Sequence, residues 1–261
     1  MPFIIVLINI RHYSIFNIKY SFKKQMNQPI IIPSLKPCRE LTKLVDKLLF
    51  LGATNIVLVD DGSGAEYKPV FLELEKLEQV TLLTHQKNRG KGVALKTAFK
   101  YCLKTFSDIA GVITADADGQ HMPEDIIKVG VALQENPNSL IWGARTFDEN
   151  TPKESFIGNQ QSNTAVRKWF NIQLPDTQTG LRGIPKKILP WVSRLRGAKY
   201  NYEFNMLIRA HQRNVPFKLV DIKSVYLNDN VGSHYKRKRD NARMVRMGIW
   251  CWFVRPLKRR P

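Results

Sequence analysis

The sequence is poor in cysteine and lacks a long apolar run. Its 261 residues include three cysteines, at positions 38, 102 and 251, which lie far apart and form no C-x-x-C pair. This spacing indicates neither a disulfide framework nor a zinc site, and it fits a reducing compartment. No run of 18 apolar residues occurs, which excludes a membrane-spanning helix within this sequence.

Acidic residues are also scarce relative to basic ones. The chain has 22 Asp and Glu against 41 Lys and Arg, a formal charge of +19. A hydrophobic content of 43%, with five Trp and 13 Phe, excludes a disordered basic tail and allows a packed core. The charge leaves three classes of partner open, namely nucleic acid, an anionic membrane and a phosphorylated substrate.

The positive charge is concentrated at the two ends of the chain. Residues 1–36 contain five bases and no acid, whereas residues 37–234 contain 26 bases and 21 acids. Residues 235–261 contain ten bases and one acid. We therefore predict an N-terminal extension over residues 1–27, a globular domain over residues 28–234, and a basic tail beyond it.

The N-terminal extension does not have the pattern of a signal peptide. Its unbroken apolar stretch is about eight residues long, with no preceding basic region and no small-residue cleavage site. Two interpretations stay open. The extension either lies on a membrane or precedes a natural start at Met26, because the first well-patterned element begins at Pro29.

From Pro29 onward, short β-branched runs alternate with amphipathic stretches. This alternation predicts strands at 30–33, 55–63, 80–85 and 111–119, and helices at 40–52, 66–79, 93–106 and 122–134. Later residues predict a helix near 160–170, a loop at 174–183, a helix at 203–213 and a β-rich run at 215–227. The pattern indicates an α/β fold with a mostly parallel sheet that carries helices on both faces.

Acidic residues end two of the predicted strands. Asp60 and Asp61 end the second strand, and Asp116 and Asp118 end the fourth. Because the carboxyl ends of parallel strands meet at one edge of a sheet, these acids are expected to lie there with Pro33. The pair at 116 and 118 suits Mg²⁺ or Mn²⁺, which prefer oxygen ligands and bridge phosphates. An ordinary turn would also explain an aspartate before glycine.

Several short segments occur in a specific order. They are IIIPSLKP (30–37), LVDDGS (58–63), NRGKGVALKTAF (88–99), TADADGQH (114–121), GAR (143–145) and DTQTGLRG (176–183). Together they resemble the family-2 glycosyltransferases with a GT-A fold, and within them the branch of dolichyl-phosphate mannose and polyprenyl-phosphate glucose synthases. The resemblance covers roughly residues 28 to 240. It implies transfer of a sugar from a nucleotide diphospho-sugar to a polyprenyl phosphate, with inversion and with Mg²⁺ or Mn²⁺.

The resemblance also implies roles for individual residues. The nucleotide-sugar would be bound by Pro33, Leu35, Val59, Asp61, Lys91, Asp116, Ala117 and Gln120. Asp61 would accept a hydrogen bond from the base, and Asp116 and Asp118 would hold the metal, with His234 as a further candidate ligand. Residues 33–37 lack the aromatic residue and the acid of the family's usual P-x-Y-N-E loop. The choice between a UDP-sugar and a GDP-sugar therefore stays open.

The two possible acceptor classes require different side chains. A lipid phosphate is already anionic and needs cations to position it, for which Arg145 and Arg182 are candidates. A hydroxyl of a glycan or glycolipid would require a general base, which contributes roughly 10²- to 10⁴-fold. Asp176 and Glu203 are the available carboxylates. The predicted catalytic residues are therefore Asp118, Arg145, Arg182 and Asp176.

The basic tail indicates attachment to a membrane surface. In a helix, one face would carry Arg239, Arg243 and Arg246, and the opposite side would carry Met244, Met247 and Cys251. Trp250, Trp252 and Phe253 would lie at headgroup depth, with neighbouring bases on anionic lipids. Alternatively, these aromatic residues pack on the domain. We expect a peripheral enzyme at the cytoplasmic face of a membrane.

Nucleic-acid binding is the main alternative from a different class. It would require positive charge on the folded domain, whereas residues 37–234 are nearly balanced and contain no RNP, KH or zinc motif. A nucleotidyltransferase would share the sheet but would require a glycine-rich loop after the first strand, where this chain has PSLKP. We therefore predict no nucleic-acid partner.

Overall fold

A computed structural model of the protein describes residues 26–147, 151–225 and 237–253. Its strands are β1 (Ile30–Ser34), β2 (Ile56–Asp60), β3 (Val80–Thr84), β4 (Gly111–Thr114), β5 (Leu140–Arg145), β6 (Arg182–Pro185) and β7 (Phe217–Ile222). Its helices are α1 (Arg39–Phe50), α2 (Lys68–Glu75), α3 (Lys91–Thr105), α4 (Pro123–Glu135), α5 (Lys153–Phe170), α6 (Leu189–Val192), α7 (Tyr200–Gln212) and α8 (Arg237–Phe253).

The seven strands form one mixed sheet in the order β3-β2-β1-β4-β6-β5-β7. Strands β1 to β4 pair in parallel, and β5 and β7 also pair in parallel. Strand β6 lies antiparallel between β4 and β5. The predicted α/β fold with a mostly parallel sheet is therefore confirmed.

Helices cover both faces of this sheet because its strands are apolar on both sides. In β1, Ile31 packs into one core cluster with residues of α3 and α7, while Ile30 and Ile32 pack into the other with residues of α1 and α4. This arrangement follows from the alternation of side chains along a strand. It explains why the strands are continuous apolar runs.

Strand β6 brings an arginine to the carboxyl edge of the parallel strands. Because β6 runs antiparallel to β4, its first residue, Arg182, pairs with Thr114, the last residue of β4. The predicted loop at 174–183 therefore includes the start of a strand, a correction to the sequence-based expectation. Strand β6 has four residues and contains a glycine and a proline, which gives it a weak sequence signal.

Two other predicted boundaries also need correction. Strand β4 ends at Thr114, so Asp116 and Asp118 lie in the loop that follows it and not in the strand. Helix α5 begins at Lys153, immediately after Pro152, and not near residue 160. Pro152 fits this position because proline is tolerated at the start of a helix, where no intrahelical N–H bond is lost.

Helix α8 packs against the domain through one side. Met247 and Cys251 are buried in the core, and the Cys251 thiol donates a hydrogen bond to Asn205 of α7. Trp250 lies near the guanidinium groups of Arg196 and Arg209, at 5.3 and 4.9 Å from ring centre to Cζ. The prediction that Trp250 inserts among lipid headgroups is therefore wrong, because these cations hold its ring on the domain.

Among the described residues, no helix combines the length and apolar character needed to cross a bilayer. The predicted N-terminal extension up to residue 25, the side chains of Arg239 and Trp252, and the end of the basic tail lie outside what the structure describes.

Candidate active site

Asp61 holds the loop before α3 against the end of β2. Its carboxylate accepts hydrogen bonds from the backbone N–H groups of Arg89 and Gly90, at 3.0 and 2.7 Å. It also contacts His85 Nδ1 at 2.7 Å, and the other ring nitrogen of His85 lies 3.0 Å from the Thr97 hydroxyl. A buried carboxylate at the N-terminus of a helix is stabilised by these N–H groups and by the helix dipole. Its contact with a nucleotide base stays a prediction.

The other predicted base-binding residues lie beside Asp61. Pro33 and Leu35, at and just after the end of β1, are half-buried, whereas the Val59 side chain is fully buried in the core. The predicted contact of Val59 with the nucleotide therefore stays a prediction. The Lys36 backbone N–H donates to the Ser63 hydroxyl at 2.8 Å, which joins the loops after β1 and β2.

Asp116 lies at the centre of the carboxyl edge. Its carboxylate contacts Lys91 Nζ at 2.6 Å, and its backbone N–H donates to His121 Nδ1 at 3.0 Å. Burial alone would raise the pKa of Asp116, but Lys91 and other nearby cations lower it to about 2. Burial lowers the pKa of His121 to about 4, so its ring is neutral at pH 7 with the proton on Nε2.

Gly180 gives the Asp116 carboxylate its space. A Cβ at position 180 would lie 2.4 Å from Asp116 Oδ2. The carbonyl of Gly180 also accepts a hydrogen bond from the Thr114 hydroxyl at 2.8 Å, which fixes the segment before β6 against β4. The glycine of the DTQTGLRG segment is therefore required by close approach to an acid and not by a turn conformation.

Asp118 is the second carboxylate of this loop. It accepts a hydrogen bond from the Gln120 backbone N–H at 3.1 Å, and its pKa is raised to about 6 by burial and by the negative charge of Asp116. A cation beside it would stabilise the ionised form. These two carboxylates therefore fit a hard divalent cation by donor type and by charge.

A complete protein-derived metal cage is not observed in the parts of the chain that the structure describes, where no group of three potential His, Cys, Asp or Glu ligands occurs. Asp116 and Asp118 would supply only part of the ligands of a bound Mg²⁺ or Mn²⁺ ion, which would need further oxygen ligands. His234 lies outside the described residues, so its predicted role as a ligand stays a prediction.

An ion-pair cluster, which consists of Lys91, Arg145, Asp176, Arg182 and Glu203, lies beside these loops. Glu203 contacts Lys91 Nζ at 3.0 Å and Arg182 Nη1 at 3.2 Å. Burial lowers the pKa of Lys91, but the charges of Asp116 and Glu203 outweigh this effect and raise it above its usual value. Lys91 therefore stays protonated at neutral pH and joins the two acids.

Arg182 is the most buried cation of this cluster. Its side chain is 2% exposed, and its Nη2 donates to the Thr179 carbonyl at 2.6 Å. The guanidinium group lies over the Trp142 ring, 4.3 Å from its centre. Burial lowers the pKa of Arg182, an effect that the charge of Glu203 opposes. The ion pair of Arg182 with Glu203 is therefore a buried one and not a surface salt bridge.

The second pair of the cluster joins Arg145, at the end of β5, to Asp176. Arg145 Nε and Nη2 donate to the two carboxylate oxygens at 2.6 and 3.0 Å. Asp176 is fully buried, and its Oδ1 also accepts from the Gln178 backbone N–H at 3.0 Å. This bidentate geometry fixes the two side chains in one arrangement.

Sequence reasoning missed two residues of the site and underestimated a third. His121 and Gly180 lie within the quoted segments, where their roles depend on contacts with Asp116 that no spacing reveals. Glu203 does lie in the first turn of α7, as a helix-start acid would, but it is 6% exposed and contacts two cations. The feature that marks Glu203 as a site residue is the burial of its charged side chain. Burial depends on the tertiary fold, so the sequence alone does not reveal it.

Comparison with known proteins agrees with this geometry. Residues 30–190 match the model of the family described as Glycosyl transferase family 2. An uncharacterized protein of Methanocaldococcus jannaschii is 31% identical over 205 residues, which cover 76% of this chain and 81% of that protein.

Two relatives with named activities are also similar. The UDP-N-acetylglucosamine–dolichyl-phosphate N-acetylglucosaminyltransferase of Methanococcus voltae is 29% identical over 215 residues, 76% of this chain and 85% of that protein. The polyprenol monophosphomannose synthase of Mycolicibacterium smegmatis is 22% identical over 233 residues, 87% of this chain and 86% of that protein.

Among solved structures, glucosyl-3-phosphoglycerate synthase from Mycobacterium tuberculosis, in complex with Mn²⁺, UDP and phosphoglyceric acid, is similar with a TM-score of 0.64. The match covers 89% of this chain and 80% of that chain, at 13% identity. The likeness confirms the predicted GT-A fold.

Proposed function

We propose that this chain, which belongs to glycosyl transferase family 2, transfers a sugar from a nucleotide diphospho-sugar to a polyprenyl phosphate with inversion. The chain is a glycosyltransferase by its family. The donor class and the lipid-phosphate acceptor are supported by relatives whose names specify dolichyl phosphate or polyprenol monophosphate. The choice of acceptor depends on the chemistry of the site.

The observation that supports a phosphate acceptor is that both candidate general bases are bound by cations. Asp176 accepts two hydrogen bonds from Arg145, and Glu203 contacts Lys91 and Arg182. Asp176 is fully buried and Glu203 is 6% exposed, so neither carboxylate is presented to the hydroxyl of an acceptor. A hydroxyl acceptor needs a base, whereas a phosphate acceptor does not. The paired carboxylates therefore favour a phosphate.

The proposed transfer requires no proton acceptor, because the attacking phosphate oxygen is already ionised. An oxygen of the lipid phosphate forms a bond to the anomeric carbon, while the bond from that carbon to the diphosphate oxygen breaks. The electron pair leaves with the nucleoside diphosphate, and attack opposite the leaving group inverts the anomeric centre. The cations of Lys91 and Arg145 are suited to stabilise the negative charge of the leaving diphosphate and of the acceptor phosphate. Fixed charges in a partly buried site need little reorganisation during the reaction.

A divalent cation would be held by Asp116 and Asp118. When bound, Mg²⁺ or Mn²⁺ supplies positive charge that stabilises the departing diphosphate. Lys91 orients the Asp116 carboxylate, and Gly180 leaves room for it. The Gln120 backbone N–H orients Asp118.

The proposed enzyme works at the cytoplasmic face of a membrane, and the exposed side of α8 supports its attachment to a membrane surface. Val245, Ile249 and Phe253 recur every four residues and are 47%, 49% and 74% exposed. Such a stripe can lie at headgroup depth. The sequence from residue 255 to 261 adds four bases, which favour anionic lipids. We therefore assign the predicted contact with lipid headgroups to Phe253 and not to Trp250.

One observation favours the second candidate, transfer to a hydroxyl of a glycan or glycolipid. Asp118 has a pKa raised to about 6, as is typical of carboxylates that act as general bases. A metal on Asp118 would remove this capacity, because a coordinated carboxylate is not free to accept a proton. The two candidates therefore differ in the acceptor that reacts.

The experiment that tests the proposal combines donor screening with product analysis. Thermal-shift measurements with UDP- and GDP-sugars, each with and without Mn²⁺, identify the donor. That labelled donor is then incubated with polyprenyl phosphate, and the lipid product is identified by mass spectrometry. We expect a glycosyl phosphate lipid whose formation stops on addition of EDTA. Absence of stabilisation by every donor would contradict the proposal.

A further inference from the structure

We propose that a groove between the end of β5 and the start of α5 binds the apolar chain of the acceptor, next to its phosphate. This inference rests on the proposed lipid-phosphate acceptor and assigns its chain to named residues. The groove has a volume of about 300 Å³ and is lined by Phe147, Thr151, Lys153, Phe156 and Ile157.

Large apolar side chains form this groove at the protein surface. Phe156 and Ile157, in the first turn of α5 and directly after it, are 42% and 52% exposed. The Phe147 and Phe156 rings meet edge to face, with their centres 6.0 Å apart. This aromatic pair forms an apolar wall of the groove. Adjacent apolar side chains left this exposed on a folded domain indicate a ligand or an interface.

The groove is continuous with the ion-pair cluster through Arg145. The Arg145 Cζ atom lies 5.6 Å from the centre of the Phe147 ring, while the same guanidinium group is bound to Asp176. Lys153 contributes a second cation to the groove lining. Positive charge and apolar surface therefore adjoin within one short stretch of the site.

This juxtaposition matches the chemistry of an amphiphile whose phosphate is joined directly to a hydrocarbon chain. The phosphate would face Arg145, and the first part of the chain would cover the Phe147 and Phe156 rings. A groove of this size is at the small end of ligand sites, so it would bind only the chain segment nearest the phosphate. A free sugar or a polar glycan would gain little from these rings.

The test compares acceptor-chain length in wild-type protein and in a groove variant with Phe156→Ser and Ile157→Ser. Two water-soluble prenyl phosphates are used without membranes, one with a single isoprene unit and one with three or four. The matched control is Phe50→Ser, because Phe50 is 88% exposed on α1 and lies outside the groove lining. The conservative Phe156→Leu variant tests whether apolar contact alone is sufficient.

For the wild type, we expect the longer phosphate to have the higher kcat/KM. In the groove variant, KM for the longer phosphate should rise about tenfold, equivalent to about 1.4 kcal/mol of binding, and the preference for length should disappear. Phe50→Ser should keep the wild-type preference, and Phe156→Leu should restore most of it.

The two possible failures are distinguishable. If the wild type prefers the longer phosphate and the groove variant keeps this preference, the groove assignment is wrong while the proposed function stands. The assay is repeated with anionic vesicles added. If the variant differs from wild type only in the presence of these vesicles, the rings bind the bilayer and the assignment is likewise wrong. If wild-type protein glycosylates neither phosphate, the proposed function itself fails.

Discussion

The two parts of the active site are held together in different ways. In the carboxylate loops, which follow β2 and β4, Asp61 and Asp118 are bound by backbone N–H groups of adjacent loops or of their own turn. In the ion-pair cluster, side chains that are distant in sequence bind each other, as Arg182 and Glu203 do. The difference is that backbone donors hold Asp61 and Asp118 in the first part, whereas side chains of opposite charge hold each other in the second.

The two kinds of contact are expected to contribute differently to the free energy of unfolding. A carboxylate bound by backbone N–H groups depends on loop conformation, which several hydrogen bonds maintain together. A buried ion pair depends on both partners, because removal of one leaves the other charged and desolvated. Substitutions in the ion-pair cluster are therefore expected to destabilise the fold more than substitutions in the carboxylate loops.

The largest expected effect is that of Arg182→Ala. The change leaves the Glu203 carboxylate, which is 8% exposed, with Lys91 as its remaining cation. We expect the free energy of unfolding to fall by about 3–5 kcal/mol, measured by denaturant titration. Lys43→Ala, which breaks an exposed pair with Glu40, is the control and should cost about 0–1 kcal/mol. Equal losses in the two variants would contradict the distinction.

Gly180→Ala tests where the two parts of the site meet. The new Cβ would lie 2.4 Å from Asp116 Oδ2 and displace the carboxylate from Lys91. We expect kcat/KM for transfer to fall about 10²-fold, as for a displacement of about 1 Å in a catalytic group. Gly158→Ala is the control, since no atom lies within 4 Å of its added Cβ, and helix α5 should tolerate it. Wild-type kinetics for Gly180→Ala would show that this contact is unimportant.

Asp61→Ala tests the carboxylate loops. It removes the acceptor for the Arg89 and Gly90 N–H groups and the partner of His85. We expect the free energy of unfolding to fall by about 1–3 kcal/mol, because buried donors lose their acceptor. Asp46→Ala on the exposed side of α1 is the control. A loss for Asp61→Ala as large as that for Arg182→Ala would break the comparison.

The smallest expected effect is the pH dependence of stabilisation by Mn²⁺, which we attribute to Asp118. Its folded-state pKa of about 6 lies above the ordinary value of 3.8, so the folded protein binds more protons between these values. The contribution of Asp118 to the free energy of unfolding should therefore be fully present below the ordinary value of 3.8 and be lost as the pH rises through about 6. Mn²⁺ binds the ionised carboxylate, so the Tm increase caused by Mn²⁺ should be larger at about pH 7.5 than at about pH 5. Asp118→Asn should remove most of this difference, whereas equal Mn²⁺ effects at both pH values in wild type would contradict it.

The carboxylate loops could be predicted from the sequence because their information is local. Strand ends marked by Asp61 and by Asp116 and Asp118 follow directly from apolar runs, and parallel strands bring them to one edge. The ion-pair cluster could not be predicted as a unit. Arg182 reaches the site through a four-residue antiparallel strand, and Glu203 through a helix that no spacing connects to Lys91.

Helix α8 could likewise be predicted only in part from the sequence. Helical periodicity predicted that Met244, Met247 and Cys251 share one side of α8, and in the structure Met247 and Cys251 are buried against the domain. The position of Trp250 did not follow, because Arg196 and Arg209, which hold its ring, belong to segments about 40 to 55 residues earlier in the chain. Periodicity predicts which side of a helix is apolar, but cation–π partners depend on tertiary packing.

In the proposed reaction the acceptor supplies its own negative charge, because Asp176 and Glu203 are buried and paired with cations. Transfer to polyprenyl phosphate is therefore compared with transfer to the polyprenol of the same chain length, using one donor and Mn²⁺. We expect rapid transfer to the phosphate and at most trace transfer to the alcohol. Comparable transfer to the alcohol, or transfer to the alcohol alone, would contradict it.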